Sequence, residues 1–95
     1  MPAPDPSTGQ VTVAIRFLSA LRDRAGVGEE RLRLPWGATL RTVAEHLAQR
    51  HGLQVPAPAI MATLNGRGWS QADQGLDTPL QDGDVIHLFP PVSGG

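Results

Sequence analysis

Residues 11–18, VTVAIRFL, alternate along the chain. Val11, Val13, Ile15 and Phe17 fall on one face, and Thr12, Ala14, Arg16 and Leu18 on the other. A period of two with β-branched and aromatic members predicts a strand. Ala14 and Leu18 make its second face partly apolar, which predicts a central place in a sheet. Residues 19–28 begin as a short helical turn and dissolve at Gly26 and Gly28. EERLRLP, 29–35, alternates again with Leu32 and Leu34 on one face, a second strand hairpin-linked to the first and closed by Pro35. The period then changes. Leu40, Val43, Ala44, Leu47 and Ala48 form one apolar stripe at helical spacing, predicting a helix over 39–52. Thr39 is its expected N-cap, Thr42 is not expected to complete a capping box, and Gly52 suits the left-handed C-terminal position.

VPAPA, 55–59, reads as a connector, and IMATLNG, 60–66, as a third strand running into an Asn65-Gly66 hairpin turn. Gly68–Ser70 is expected to pair back as a short strand. Pro79 and Asp82-Gly83 predict turns, and DVIHLF, 84–89, a last strand that is apolar on nearly both faces. Two double-faced strands thus stand at opposite ends of the chain. Paired in the middle of one sheet, they require the helix to cover one face as a crossover. This predicts an α+β protein of β-grasp, ubiquitin-like architecture, a mixed sheet of four to five strands with one main helix on one face. Residues 1–10, with three prolines, are expected to be a disordered leader, 11–90 the domain, and 91–95 a flexible Gly-Gly tail.

Composition narrows the chemistry. Ninety-five residues that are 40% apolar allow one small domain. A net charge of −1 gives no electrostatic reason to expect nucleic acid or an anionic membrane as partner. Six of the eight arginines lie between Arg16 and Arg41, an ordinary solvated surface or a mildly basic docking face. No apolar run approaches the ~20 residues of a membrane span, and the first ten residues lack the pattern of a signal peptide. Cysteine is absent, which removes disulfides, thiolate metal sites and cysteine nucleophiles and fits a reducing cytosol. Lysine is absent too, so no side-chain amine is available for acylation.

The side chains offer little of their own. His46 and His51 are five apart on the helix and are not expected to share a face, His87 lies in a strand, and no metal site is expected. Asp82 and Asp84 flank Gly83 as turn residues. Ser93 has no base and orienter within reach in sequence, and Trp36 and Trp69 read as core-edge or interface anchors. The end of the chain is different. Phe89-Pro90-Pro91-Val92-Ser93-Gly94-Gly95 leaves an apolar strand through two prolines, which stop further pairing. Six residues from Pro90 reach on the order of 20 Å. Gly94 and Gly95 lack a Cβ and fit a channel too narrow for other residues. At a glycine frequency of ~7%, a terminal pair arises by chance in roughly one chain in two hundred.

LQDGDVIHLFPPVSGG, 80–95, closely resembles the C-terminal signature of the MoaD/ThiS family of ubiquitin-like sulfur carriers, and within it the MoaD branch. Leu80, Asp82, Gly83, Asp84 and every residue from Phe89 to Gly95 fit that pattern, and the likeness extends over about 11–95. The resemblance implies a cytoplasmic carrier rather than a self-sufficient enzyme, the small subunit of molybdopterin synthase. Gly95 is then the residue adenylated and converted to a thiocarboxylate, Gly94, Ser93 and Val92 the part that enters a partner's channel, and Phe89, Pro90 and Pro91 the docking residues. The implied partners are a MoeB-like adenylating enzyme that uses ATP, a sulfur donor protein and a MoaE-like large subunit that carries the catalytic residues. No cofactor bound to this chain is implied. The tail alone leaves open a ThiS-like, tRNA-thiolation or protein-modifying carrier, or a non-catalytic β-grasp binding module.

Overall fold

Strand β1, Gln10–Phe17, is the centre around which the sheet is built. Its alternation is realised without exception: Val11, Val13, Ile15 and Phe17 are fully buried. After the short helix α1, Ala20–Ala25, which ends on left-handed Gly26, the chain returns as β2, Glu29–Pro35. β2 lies antiparallel to β1, with Val13 opposite Leu32 and Ile15 opposite Glu30. The computed structural model describes residues 9–55 and 57–91; most of the expected leader and all of Val92, Ser93, Gly94 and Gly95 lie outside them.

Helix α2, Leu40–His51, crosses the sheet and buries Leu40, Val43 and Leu47 against it. Its N-terminus corrects one expectation. Thr42 Oγ1 accepts a hydrogen bond from the Thr39 N–H at 3.2 Å, so a threonine hydroxyl does at N3 what a longer Glu or Gln usually does. At the other end Gly52 takes φ 68°, and the Leu53 N–H returns to the Leu47 carbonyl at 3.1 Å. That turn drives Leu53 and then Val55 into the core, although the sequence reads there as a connector.

Strands β3, Met61–Leu64, and β4, Arg67–Gly68, form a hairpin through Asn65 (φ 52°) and Gly66 (φ 88°). Two consecutive positive φ values are what a tight turn compatible with strand twist requires. β4 is shorter than expected and one residue earlier, because Trp69–Gln71 coil into a 3₁₀ turn that buries Trp69. The last strand, β5, Val85–Phe89, enters between β1 and β3, giving the order β2-β1-β5-β3-β4. β5 runs parallel to β1 and antiparallel to β3. The two double-faced strands do meet in the middle of the sheet, under the helix.

Candidate functional site

The site suggested by the sequence begins where β5 ends. Ile86 and Leu88 are buried beneath α2, which anchors the strand, while Val85, His87 and Phe89 face outward and are half-buried. The Leu18 N–H donates to the Leu88 carbonyl at 3.0 Å, so the ladder to β1 continues to the strand's last turn. Phe89 lies opposite Met61 on β3. Pro90 follows, half-buried, then exposed Pro91. Proline has no N–H to donate, so pairing stops at Phe89 and the main chain leaves the sheet at its centre.

The start of β5 is fastened by the Leu80–Asp84 segment. Asp82 Oδ1 accepts from the Thr12 N–H at 2.8 Å, and the Gly83 N–H donates to the Thr12 carbonyl at 2.9 Å. Asp84 Oδ2 accepts from the Gln81 N–H at 2.8 Å, and its Oδ1 accepts from the Asn65 amide at 3.0 Å. Asn65 Oδ1 in turn accepts from the Val85 N–H at 2.9 Å. One acidic turn thereby ties β5 to both β1 and the β3–β4 hairpin. These carboxylates are spent on two backbone N–H groups and the Asn65 side-chain amide, as a turn role requires.

On the outer face of β5, Phe89 has Met61 of β3 beside it, His87 lies between Thr63 of β3 and Arg16 of β1, and Val85 lies opposite Ala14 of β1. Met61 is 46% exposed, a large apolar side chain left uncovered beside the strand end. The sequence reading did not single out Met61; its position opposite Phe89 is a fact of register. Trp36 is likewise exposed, and Trp69 is core, its Nε1 buried without a hydrogen-bond partner among the described residues. The arginines of the basic stretch are partly neutralised, Arg16 and Arg31 by Glu29 and Arg41 by Asp77.

The histidines require a correction. Five residues on a helix turn about 140° and climb about 7.5 Å, which argues against a shared face. Yet His46 Nε2 lies 3.1 Å and His51 Nε2 3.0 Å from the same oxygen, Oε1 of Glu30. Glu30 points inward from β2 beside Ile15, and its reach closes the gap between the two rings. Burial pushes the Glu30 carboxyl up. Hydrogen bonds from His51 and His46, with the charge those rings can carry, outweigh this and hold it below the ordinary carboxylate value.

Together, a five-stranded mixed sheet, one crossing helix and a chain that leaves the central strand through prolines define a ubiquitin-like β-grasp protein. The model of the ThiS family matches residues 15–95, and the chain belongs to that family of ubiquitin-like sulfur carriers. A sequence search of curated proteins finds no match. Among solved structures, a Pyrococcus furiosus protein assigned as molybdopterin converting factor subunit 1 is 32% identical, with a TM-score of 0.71 over 86% of this chain and 99% of that one. The complex of subunits 1 and 2 of molybdopterin-converting factor from Helicobacter pylori contains a chain 29% identical, TM-score 0.63, over 90% of this chain and 100% of that one. The small archaeal modifier protein SAMP1 of Haloferax volcanii is 25% identical, TM-score 0.67, over 88% of this chain and 99% of that one. In the described residues no helix is long and apolar enough to cross a membrane.

Proposed function

We propose that this chain is the sulfur-carrying small subunit of a molybdopterin synthase and that the Gly95 carboxylate is its reacting group. The observation that carries the reading is the run Phe89-Pro90-Pro91-Val92-Ser93-Gly94-Gly95, which continues a strand pinned at the centre of the sheet. An α-carboxylate with a pKa of about 3.5 is ionised at neutral pH and is a poor electrophile. A MoeB-like partner therefore joins it to AMP from ATP, releasing pyrophosphate. A sulfur donor then displaces AMP and leaves a thiocarboxylate. Val92, Ser93 and Gly94 carry that group into the channel of a MoaE-like large subunit, whose residues catalyse transfer of the sulfur to cyclic pyranopterin monophosphate. The absence of cysteine suits this chemistry, because no thiol on the carrier competes for the activated acyl group.

Phe89, Pro90 and Pro91 dock the partner, and Met61 extends their apolar surface. The pairing of subunits 1 and 2 in the H. pylori complex supports this division of labour. Reconstitution tests it. The thiocarboxylated chain, mixed with a MoaE-like subunit and cyclic pyranopterin monophosphate, is expected to return to the carboxylate as dithiolene forms. No transfer to that acceptor refutes the molybdopterin reading. The likeness to SAMP1 favours a second reading, in which Gly95 is joined to amines of other proteins. Isopeptide adducts formed in a lysate with ATP, in place of transfer to the pterin, would select it.

A further inference from the structure

Glu30, His46 and His51 have no part in the chemistry of the tail, and their arrangement fits another use. Their ligand atoms all lie within 4.8 Å of one another. Both imidazoles present Nε2 to one carboxylate oxygen, at 3.1 and 3.0 Å. Packing sets the ring orientations: His51 meets Phe17 edge-on at 5.2 Å between centroids, and the two imidazoles meet edge-on at 6.0 Å. The side chains of Glu30, His46 and His51 keep 22%, 27% and 9% exposure, sheltered yet open to an entering ion.

We propose that Glu30, His46 and His51 form a three-ligand site for a borderline divalent cation, zinc foremost, that clamps edge strand β2 to the C-terminal end of α2. Zinc holds imidazole nitrogen at about 2.0–2.1 Å and carboxylate oxygen at about 2.0–2.2 Å, so two donors on one tetrahedral ion stand about 3.4 Å apart. Both nitrogen–oxygen distances are close to this, and the imidazole nitrogens, within 4.8 Å of each other, need to close by up to about 1.5 Å to seat all three. A cation at the common point takes the place of the Nε2–H protons, which leave to solvent or move to Nδ1, and binds the Nε2 lone pairs thereby freed. The fourth tetrahedral position is left for water. Two imidazoles and one carboxylate suit zinc, copper(II) or nickel(II) far better than magnesium, which prefers an octahedron of oxygens. The site is independent of the Gly95 chemistry.

The test is calorimetric titration of the untagged, chelator-treated full chain with zinc chloride near pH 7. One equivalent is expected to bind with release of protons, since ligation displaces them. Zinc at 100 times Kd is expected to raise Tm by on the order of 10 °C, and magnesium at the same concentration to leave it unchanged. Bound cobalt(II) is expected to show the intense visible bands of a tetrahedral site. His46→Gln and Glu30→Gln should each weaken zinc at least ~10-fold, the lower end of what even outer-shell losses cost. His87→Gln should leave binding unchanged. His46 is partly exposed, so His46→Gln is expected to stay folded by circular dichroism; cobalt spectra of the wild-type chain test the site even where a variant unfolds. No zinc or cobalt binding by the wild-type chain, or binding undiminished in folded His46→Gln and Glu30→Gln, overturns the proposal.

Discussion

Gly83 stands at φ 90°, and a Cβ placed on it would meet nothing within 4 Å. Any penalty for a side chain there is therefore backbone strain alone. Gly83→Ala is expected to destabilise by about 1–2 kcal/mol, read as a lower urea midpoint with an unchanged slope; a neutral result would mean that the Asp82–Asp84 turn relaxes freely. Glu30 gives a prediction in pH. Its folded pKa lies below the unfolded value, so its contribution is fully present above the ordinary carboxylate range and is lost as pH falls through that range. Between about pH 5 and pH 3, the wild-type chain should lose more stability than Glu30→Gln. Parallel urea midpoints across that window would show that the two histidines do not favour the carboxylate.

At the scale of elements, helix α2 should tolerate change only on its outer side. Leu47 is fully buried, and Leu47→Ala is expected to cost about 2–5 kcal/mol by denaturant titration. Gln49→Ala, on the exposed side, should stay within about 0.5 kcal/mol of the wild type. The helix, the first strand and the Asn65-Gly66 turn were legible because each repeats one local rule: a period of 3.6, a period of 2, and consecutive residues that accept positive φ. What was not legible depends on partners far along the chain. Nothing in a spacing of five says that Glu30, on another element, will bridge His46 and His51. Nothing local separates Trp69, which is core, from Trp36, which is exposed. Leu53 and Val55 enter the core because Gly52 turns the chain back beneath the helix, an effect of tertiary direction rather than pattern. Met61 becomes a neighbour of Phe89 only once the β3–β5 register is fixed.

On the proposed function, the molecule as a whole divides its labour between the folded body and the main-chain end. The sheet fixes β5 from both sides, and the acidic turn fixes its start, so the point at which the chain leaves is held in place. The proposed chemistry then needs no catalytic side chain on this protein, only an accessible terminal carboxylate and the partners that charge and consume it. Appending one residue after Gly95 should leave the fold unchanged by circular dichroism and abolish activation by the adenylating enzyme. Intact-mass spectrometry of the unmodified chain, incubated with ATP, a competent MoeB-like enzyme and a sulfur donor, is the most direct measurement. The account predicts a gain equal to replacement of one oxygen by sulfur, located by fragmentation to Gly95. An unchanged mass under those conditions, or sulfur found anywhere else in the chain, would contradict it.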